Sequence, residues 1–66
     1  MFPNLEAEQA RNRHTDEYVA SKLGISRQMY GRKKSLGNFK LKEINTLLEM
    51  YGTDFTYLFA MEAETA

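Results

Sequence analysis

The residues best equipped for chemistry lie between 16 and 34, and that chemistry is hydrogen bonding and charge rather than bond breaking. Asp16-Glu17-Tyr18-Val19-Ala20-Ser21-Lys22-Leu23-Gly24-Ile25-Ser26-Arg27-Gln28-Met29-Tyr30 reads as two short helices meeting at a glycine corner, with polar and basic side chains opening the second. That pattern suits presentation of a helix end to the major groove of double-stranded DNA. Catalytic constellations are missing. There is no cysteine nucleophile, His14 is the one histidine, and no glycine-rich phosphate loop occurs. Glu6 and Glu8, Asp16 and Glu17, and Glu62 and Glu64 are acid pairs in sequence, each expected on a solvated helix surface with an ordinary titration. No catalytic residue, no cofactor, no metal site and no small-molecule ligand is expected.

Formal net charge is zero, which by itself argues against a nucleic-acid partner. The distribution argues the other way. Residues 1–21 carry Arg11 and Arg13 against Glu6, Glu8, Asp16 and Glu17, for a sum of −2. Residues 22–42 carry Lys22, Arg27, Arg32, Lys33, Lys34, Lys40 and Lys42 without an acid, for +7. Residues 43–66 carry five acids and no base, for −5. Such segregation predicts a dipolar molecule with a basic central face, and a local patch is what attracts a polyphosphate.

The elements that must hold these residues follow from glycine, proline and apolar spacing. Asn4 is expected to cap a first helix over 5–12, with Arg13 and His14 at the corner and His14 facing solvent or capping. Thr15 caps the second helix, whose first turn holds Asp16 and Glu17 where the helix dipole favours negative charge. Gly24 ends it in a left-handed conformation, and Ser26 caps a third helix over 27–34. Residues 35–39 read as a loop turning at Gly37-Asn38. Leu41, Ile44, Leu47, Leu48 and Tyr51 have the spacing of an amphipathic fourth helix closed by Gly52. Thr53 or Asp54 caps a short fifth helix containing Phe55, Leu58 and Phe59, all three expected in the core. The expected fold is all-α: a compact bundle of five short helices, one domain over 1–60, followed by a frayed tail over 61–66.

These residues resemble a family: the lambda-repressor-like helix-turn-helix domains of phage Cro and CI repressors and their bacterial relatives, also known as the xenobiotic-response-element family. The likeness spans about 3–59 and is carried by Val19-Ala20-Ser21-Lys22-Leu23-Gly24-Ile25-Ser26-Arg27 and by Tyr51-Gly52-Thr53-Asp54-Phe55-Thr56-Tyr57-Leu58-Phe59. Phe39-Lys40-Leu41 is similar to the start of the fourth helix in small prophage members. The resemblance implies a sequence-specific DNA-binding transcriptional regulator with the third helix in the major groove. By the same likeness Ser26, Arg27, Gln28 and Arg32 match base- or backbone-contacting positions. Arg27 suits guanine and Gln28 adenine, each good pair worth about 1–3 kcal/mol of discrimination. Met29 suits a thymine methyl or loose packing, whereas Lys33, Lys34 and Lys40 suit phosphates. Three positions depart from the family. Asp16 replaces a phosphate-touching glutamine and would repel an anion, Gly31 interrupts the third helix, and Lys33 stands where an apolar residue is common.

Val19, Leu23, Ile25 and Tyr30 are expected to bury the inner faces at the corner, and Ala20 to be small because helices cross there. Tyr57, Phe59 and Met61 are candidates for an exposed apolar patch, which would favour a homodimer spanning two half-sites about 34–36 Å apart. The alternative function is a protein-interaction module, such as an antirepressor, on the same fold. Neither a membrane span nor a signal peptide is read in the sequence, so a soluble cytoplasmic protein is expected.

Overall fold

The computed structural model describes residues 2–61, and every regular element among them is helical. In chain order these are α1 (Pro3–Arg11), α2 (Asp16–Leu23), α3 (Arg27–Leu36), α4 (Leu41–Tyr51) and α5 (Phe55–Leu58). The expected fraying of the tail falls, beyond Met61, on residues 62–66, outside the described residues.

Side-chain caps set three of the helix starts. Thr15 Oγ1 accepts from Tyr18 N at 3.1 Å, Ser26 Oγ from Met29 N at 3.0 Å and Asp54 Oδ1 from Tyr57 N at 2.8 Å. At α4 Glu43 reaches back, its Oε1 accepting from Lys40 N at 2.9 Å. The first helix differs from expectation. Pro3 opens it, since proline has no amide hydrogen to lose at that position, and Phe2 precedes it without a side-chain cap. Asn4 lies inside the helix instead, and its Nδ2 donates to the Tyr57 carbonyl at 2.9 Å, tying α1 to α5.

Glycine ends three of the helices, at Gly24, Gly37 and Gly52. Gly24 has φ 75°, and the Ile25 amide donates back to the Ala20 carbonyl at 3.0 Å, so α2 stops and the chain turns into α3 within three residues. Gly37 has φ 74° and ends α3 two residues later than the sequence suggested. A Cβ on Gly37 would stand 3.3 Å from the Phe2 ring, so its bareness also seats the start of the chain.

Phe2, Leu5, Val19, Ala20, Tyr30, Leu47, Leu58 and Phe59 form the buried core, with Leu23, Ile25, Phe39, Ile44, Leu48 and Tyr51 packed around it. Every helix contributes, and α2 packs on α3 and on α4. Phe55 corrects the expectation: it is 54% exposed. A single-turn α5 turns few side chains inward. Phe59 takes the core place and Phe55 stacks outside it at 5.2 Å.

Candidate nucleic-acid interface

Helix α3 has two chemically distinct faces. Ser26, Arg27, Gln28, Met29 and Arg32 are all exposed, and Ser26, Gln28, Met29 and Arg32 line one shallow hollow. Lys40 and Lys42 are exposed at the start of α4. Among the described residues none of Arg27, Arg32, Lys40 and Lys42 is in an ion pair. The surface thus offers guanidinium and amide donors, a thioether and spare positive charge. Of the expected site residues, Ser26, Gln28, Met29 and Arg32 share that hollow.

Lys33 and Lys34 do not stand with them. Both are buried, because they follow Tyr30 by three and four residues and so share its inward face. Lys33 Nζ lies 3.2 Å from Glu43 Oε1 and 3.4 Å from the Asn38 carbonyl. Lys34 Nζ lies 2.9 Å from both Glu6 Oε2 and Asp16 Oδ1, and 4.8 Å from the Tyr30 ring centroid. Their ammonium groups are occupied, so the expectation that they reach out to phosphates is corrected. At Lys33 the apolar stem fills the place of an apolar residue while the head finds a carboxylate.

Asp16 is likewise no bare anion. Burial pushes its carboxyl up, but hydrogen bonds from Gln9 and Lys34, with Arg27 nearby, more than offset this and hold it below the usual carboxylate range. Burial lowers Lys34 in turn, and its bonds to Asp16 and Glu6 prevail and raise it. Gly31 lies half-buried within α3 with no atom within 4 Å of where a Cβ would sit.

Glu8 and His14 also depart from the solvated surface the sequence suggested, and Glu43, on which it made no assignment, is inside as well. Glu8 and Glu43 are buried. Glu8 bonds to Arg11, which holds its carboxyl low, and accepts from Tyr57 Oη at 3.0 Å. The His14 ring lies tilted against Tyr18, centroids 4.4 Å apart, with Nδ1 3.0 Å from Tyr51 Oη. Burial, followed by the neighbouring Tyr18, pushes Tyr51 up to about 12. Gln9, which the sequence reading passed over, is buried and bonded at both ends of its amide. A signal was present. Glu8 and Gln9 lie three and four residues after Leu5, on the face that leucine buries.

The exposed apolar surface is also composed differently from expectation. Of the expected trio Phe59 is buried, while Tyr57, 40% exposed with its hydroxyl bonded to Glu8, and Met61 are exposed. Leu36 and Phe55 are exposed alongside Met61. They edge a groove of about 250 Å³ between α3, α4 and α5. Among the described residues no group of three or more histidines, cysteines or acids is placed to hold a metal. No described helix is long and apolar enough to cross a membrane.

Comparison with known proteins finds no matching family model, no matching curated protein and no matching solved structure. The likeness to lambda-repressor-like domains therefore rests on the residues of the motif.

Proposed function

We propose that this chain is a sequence-specific DNA-binding transcriptional regulator that sets the outer face of α3 in the major groove. One observation carries the reading. Gln28, Met29 and Arg32 of α3 face outward together around one hollow with the cap residue Ser26, Arg27, Lys40 and Lys42 are exposed as well, and no acid occurs among residues 22–42. Arginine and glutamine are the side chains that read guanine and adenine by paired hydrogen bonds, and the flanking lysines supply charge for phosphates. α2 and α3, joined by the turn at Gly24, act here as a helix-turn-helix.

Selection of bound sequences from random duplex DNA, followed by a salt titration, tests this. If three cations reach phosphates, affinity falls about 40-fold between 50 and 200 mM salt. Arg32→Ala and Gln28→Ala should each relax one position of the selected site, at about 1–3 kcal/mol. Absence of binding at low salt, or binding indifferent to salt, overturns the reading. A palindrome among the selected sites would point to a homodimer. The groove edged by Leu36, Phe55 and Met61 favours a second reading, a protein-interaction module such as an antirepressor. Loss of partner binding in Phe55→Glu, with no DNA shift in the parent protein, would select it.

A further inference from the structure

Gln9 lies on α1, outside the surface assigned to DNA, yet its buried amide joins two other helices. Tyr30 Oη donates to Gln9 Oε1 at 2.8 Å, and Gln9 Nε2 donates to Asp16 Oδ1 at 2.7 Å. Chemistry fixes the direction of both bonds. An ionised carboxylate only accepts, so the amide nitrogen faces Asp16 and the amide oxygen is left for the tyrosine hydroxyl. Asp16 Oδ1 also accepts from Lys34 Nζ at 2.9 Å, and Lys34 in turn holds Glu6. The chain of bonds leaves α3 at Tyr30, crosses α1 at Gln9 and α2 at Asp16, and returns to α3 at Lys34, one turn further on.

Two anchors one turn apart on one face fix how far a helix is rolled about its own axis. A roll of about 20° moves a side-chain tip at a radius of roughly 6 Å by about 2 Å. That is more than a hydrogen bond to a base edge tolerates. We propose that Gln9 is a positioning residue for the α3 surface: by linking Tyr30 to Asp16 it sets the roll of α3 and hence the aim of Gln28, Met29 and Arg32. Apolar packing alone is non-directional and leaves that angle loosely defined. This role rests on the DNA-binding reading for its consequence, but not for its geometry.

Residual dipolar couplings along α3 report its roll relative to α1 and α4 without any DNA present. In Gln9→Met the couplings of α3 should shift in phase while those of α1, α2 and α4 keep the wild-type pattern. Gln9→Glu provides a variant that restores itself. The groups around the new carboxyl are Asp16 on α2, Tyr30 and Lys34 on α3, and Glu6 on its own helix. Near pH 8 it is ionised and repels Asp16. The Asp16 carboxylate beside it and its burial raise its pKa above that of an ordinary glutamate. Towards about pH 4, with Asp16 held lower, it protonates, donates to Asp16, accepts from Tyr30, and should return α3 to the wild-type roll. Wild-type couplings for α3 in Gln9→Met, or in Gln9→Glu at both pH values, overturn the positioning role. On DNA, Gln9→Met should lower the preference for the selected site over random duplex about tenfold, the loss of roughly one good base contact. Affinity for random duplex should hold within about twofold, since the exposed cations are untouched. An unchanged preference overturns the assigned consequence. A parent protein that binds no DNA overturns the DNA reading, and the couplings still decide the role of Gln9.

Discussion

Helices α3 and α4 are almost equal in length, ten and eleven residues, yet they are seated by different forces. α4 turns Ile44, Leu47, Leu48 and Tyr51 into the core, an apolar stripe at helical spacing. α3 turns in Tyr30, Lys33 and Lys34, and the two lysines end in ion pairs with different neighbours. Lys33 ties it to α4 through Glu43, and Lys34 ties it to α1 and α2 through Glu6 and Asp16. Apolar contact supplies most of the stabilisation but little direction, whereas hydrogen-bonded charge supplies direction at small net gain. The helix that the proposed function sets against DNA is thus the one whose orientation is held by directional bonds.

The largest expected effect lies on the apolar side of this contrast. Leu47 is fully buried, so Leu47→Ala should cost about 2–5 kcal/mol through lost transfer energy and the cavity left behind. For a domain of this size that lowers the thermal midpoint by about 10 °C or more. A fall of under about 5 °C in a melting experiment would mean that α4 is not seated chiefly by its stripe. The next effect lies on the polar side. Glu43→Ala strands the buried Lys33 and removes the back-bond to Lys40 N, at about 2–3 kcal/mol. That is less than the full penalty of an orphaned buried charge, because a lysine stem can straighten towards water. Glu49 on the same helix is exposed, and Glu49→Ala is the control expected to leave the midpoint nearly unchanged. Equal effects of the two would abolish the distinction.

The same contrast decides what was legible in the sequence. The glycine ends at Gly24 and Gly52 and the caps Thr15, Ser26 and Asp54 follow from local rules, and each stands where those rules put it. So does the apolar stripe of α4 from Ile44 onward, whereas Leu41 in its first turn is 73% exposed. Burial of Val19, Ala20 and Tyr30 was legible for the same reason. Lys33 and Lys34 were not. Their side chains read as surface until Glu43, Glu6 and Asp16 are brought near by folding, and two of the three pairings join residues far apart in the chain. Of the candidate site, the group Ser26, Arg27, Gln28 and Arg32 was read from the likeness to a known family, while the polar ring behind it required tertiary structure. Phe55 fails for a related reason, since periodicity over a single turn cannot tell which of two stacked phenylalanines turns inward.

A smaller effect separates Asp16 from the apolar core by its dependence on pH. A carboxyl whose folded pKa lies below its unfolded value adds stability above the unfolded value and loses it as pH falls through the folded one. Asp16 is such a group, so stability should decline on the acid side of about pH 4, where the bonds to Gln9 and Lys34 weaken. Asp16→Asn removes that share and should narrow the difference in unfolding free energy between pH 7 and pH 3. The change should stay below about 1 kcal/mol, because the carboxylate is 39% exposed and water screens it. Denaturant titrations at the two pH values measure it. An undiminished acid limb in the variant would show that Asp16 does not contribute to it.

The smallest expected effect probes the comparison most sharply, because it makes α3 resemble α4. Lys33→Met keeps the stem volume and discards the charge, leaving Glu43 without its ammonium partner. Glu43 is not stranded by this as Lys33 is stranded by Glu43→Ala. It sits in the first turn of α4, where the helix dipole favours an anion, and its Oε1 keeps the bond from Lys40 N at 2.9 Å. Those two supports should hold the loss to about 1 kcal/mol or less, well under the roughly 3–5 kcal/mol that removing one partner of a buried pair otherwise costs. Denaturant midpoints for Lys33→Met and Glu43→Ala, measured side by side, should differ clearly, with the lysine variant nearer the parent. If Lys33→Met is the more damaging of the two, the stranded Glu43 carboxylate costs more than the stranded Lys33 ammonium, and the dipole and back-bond do not hold it.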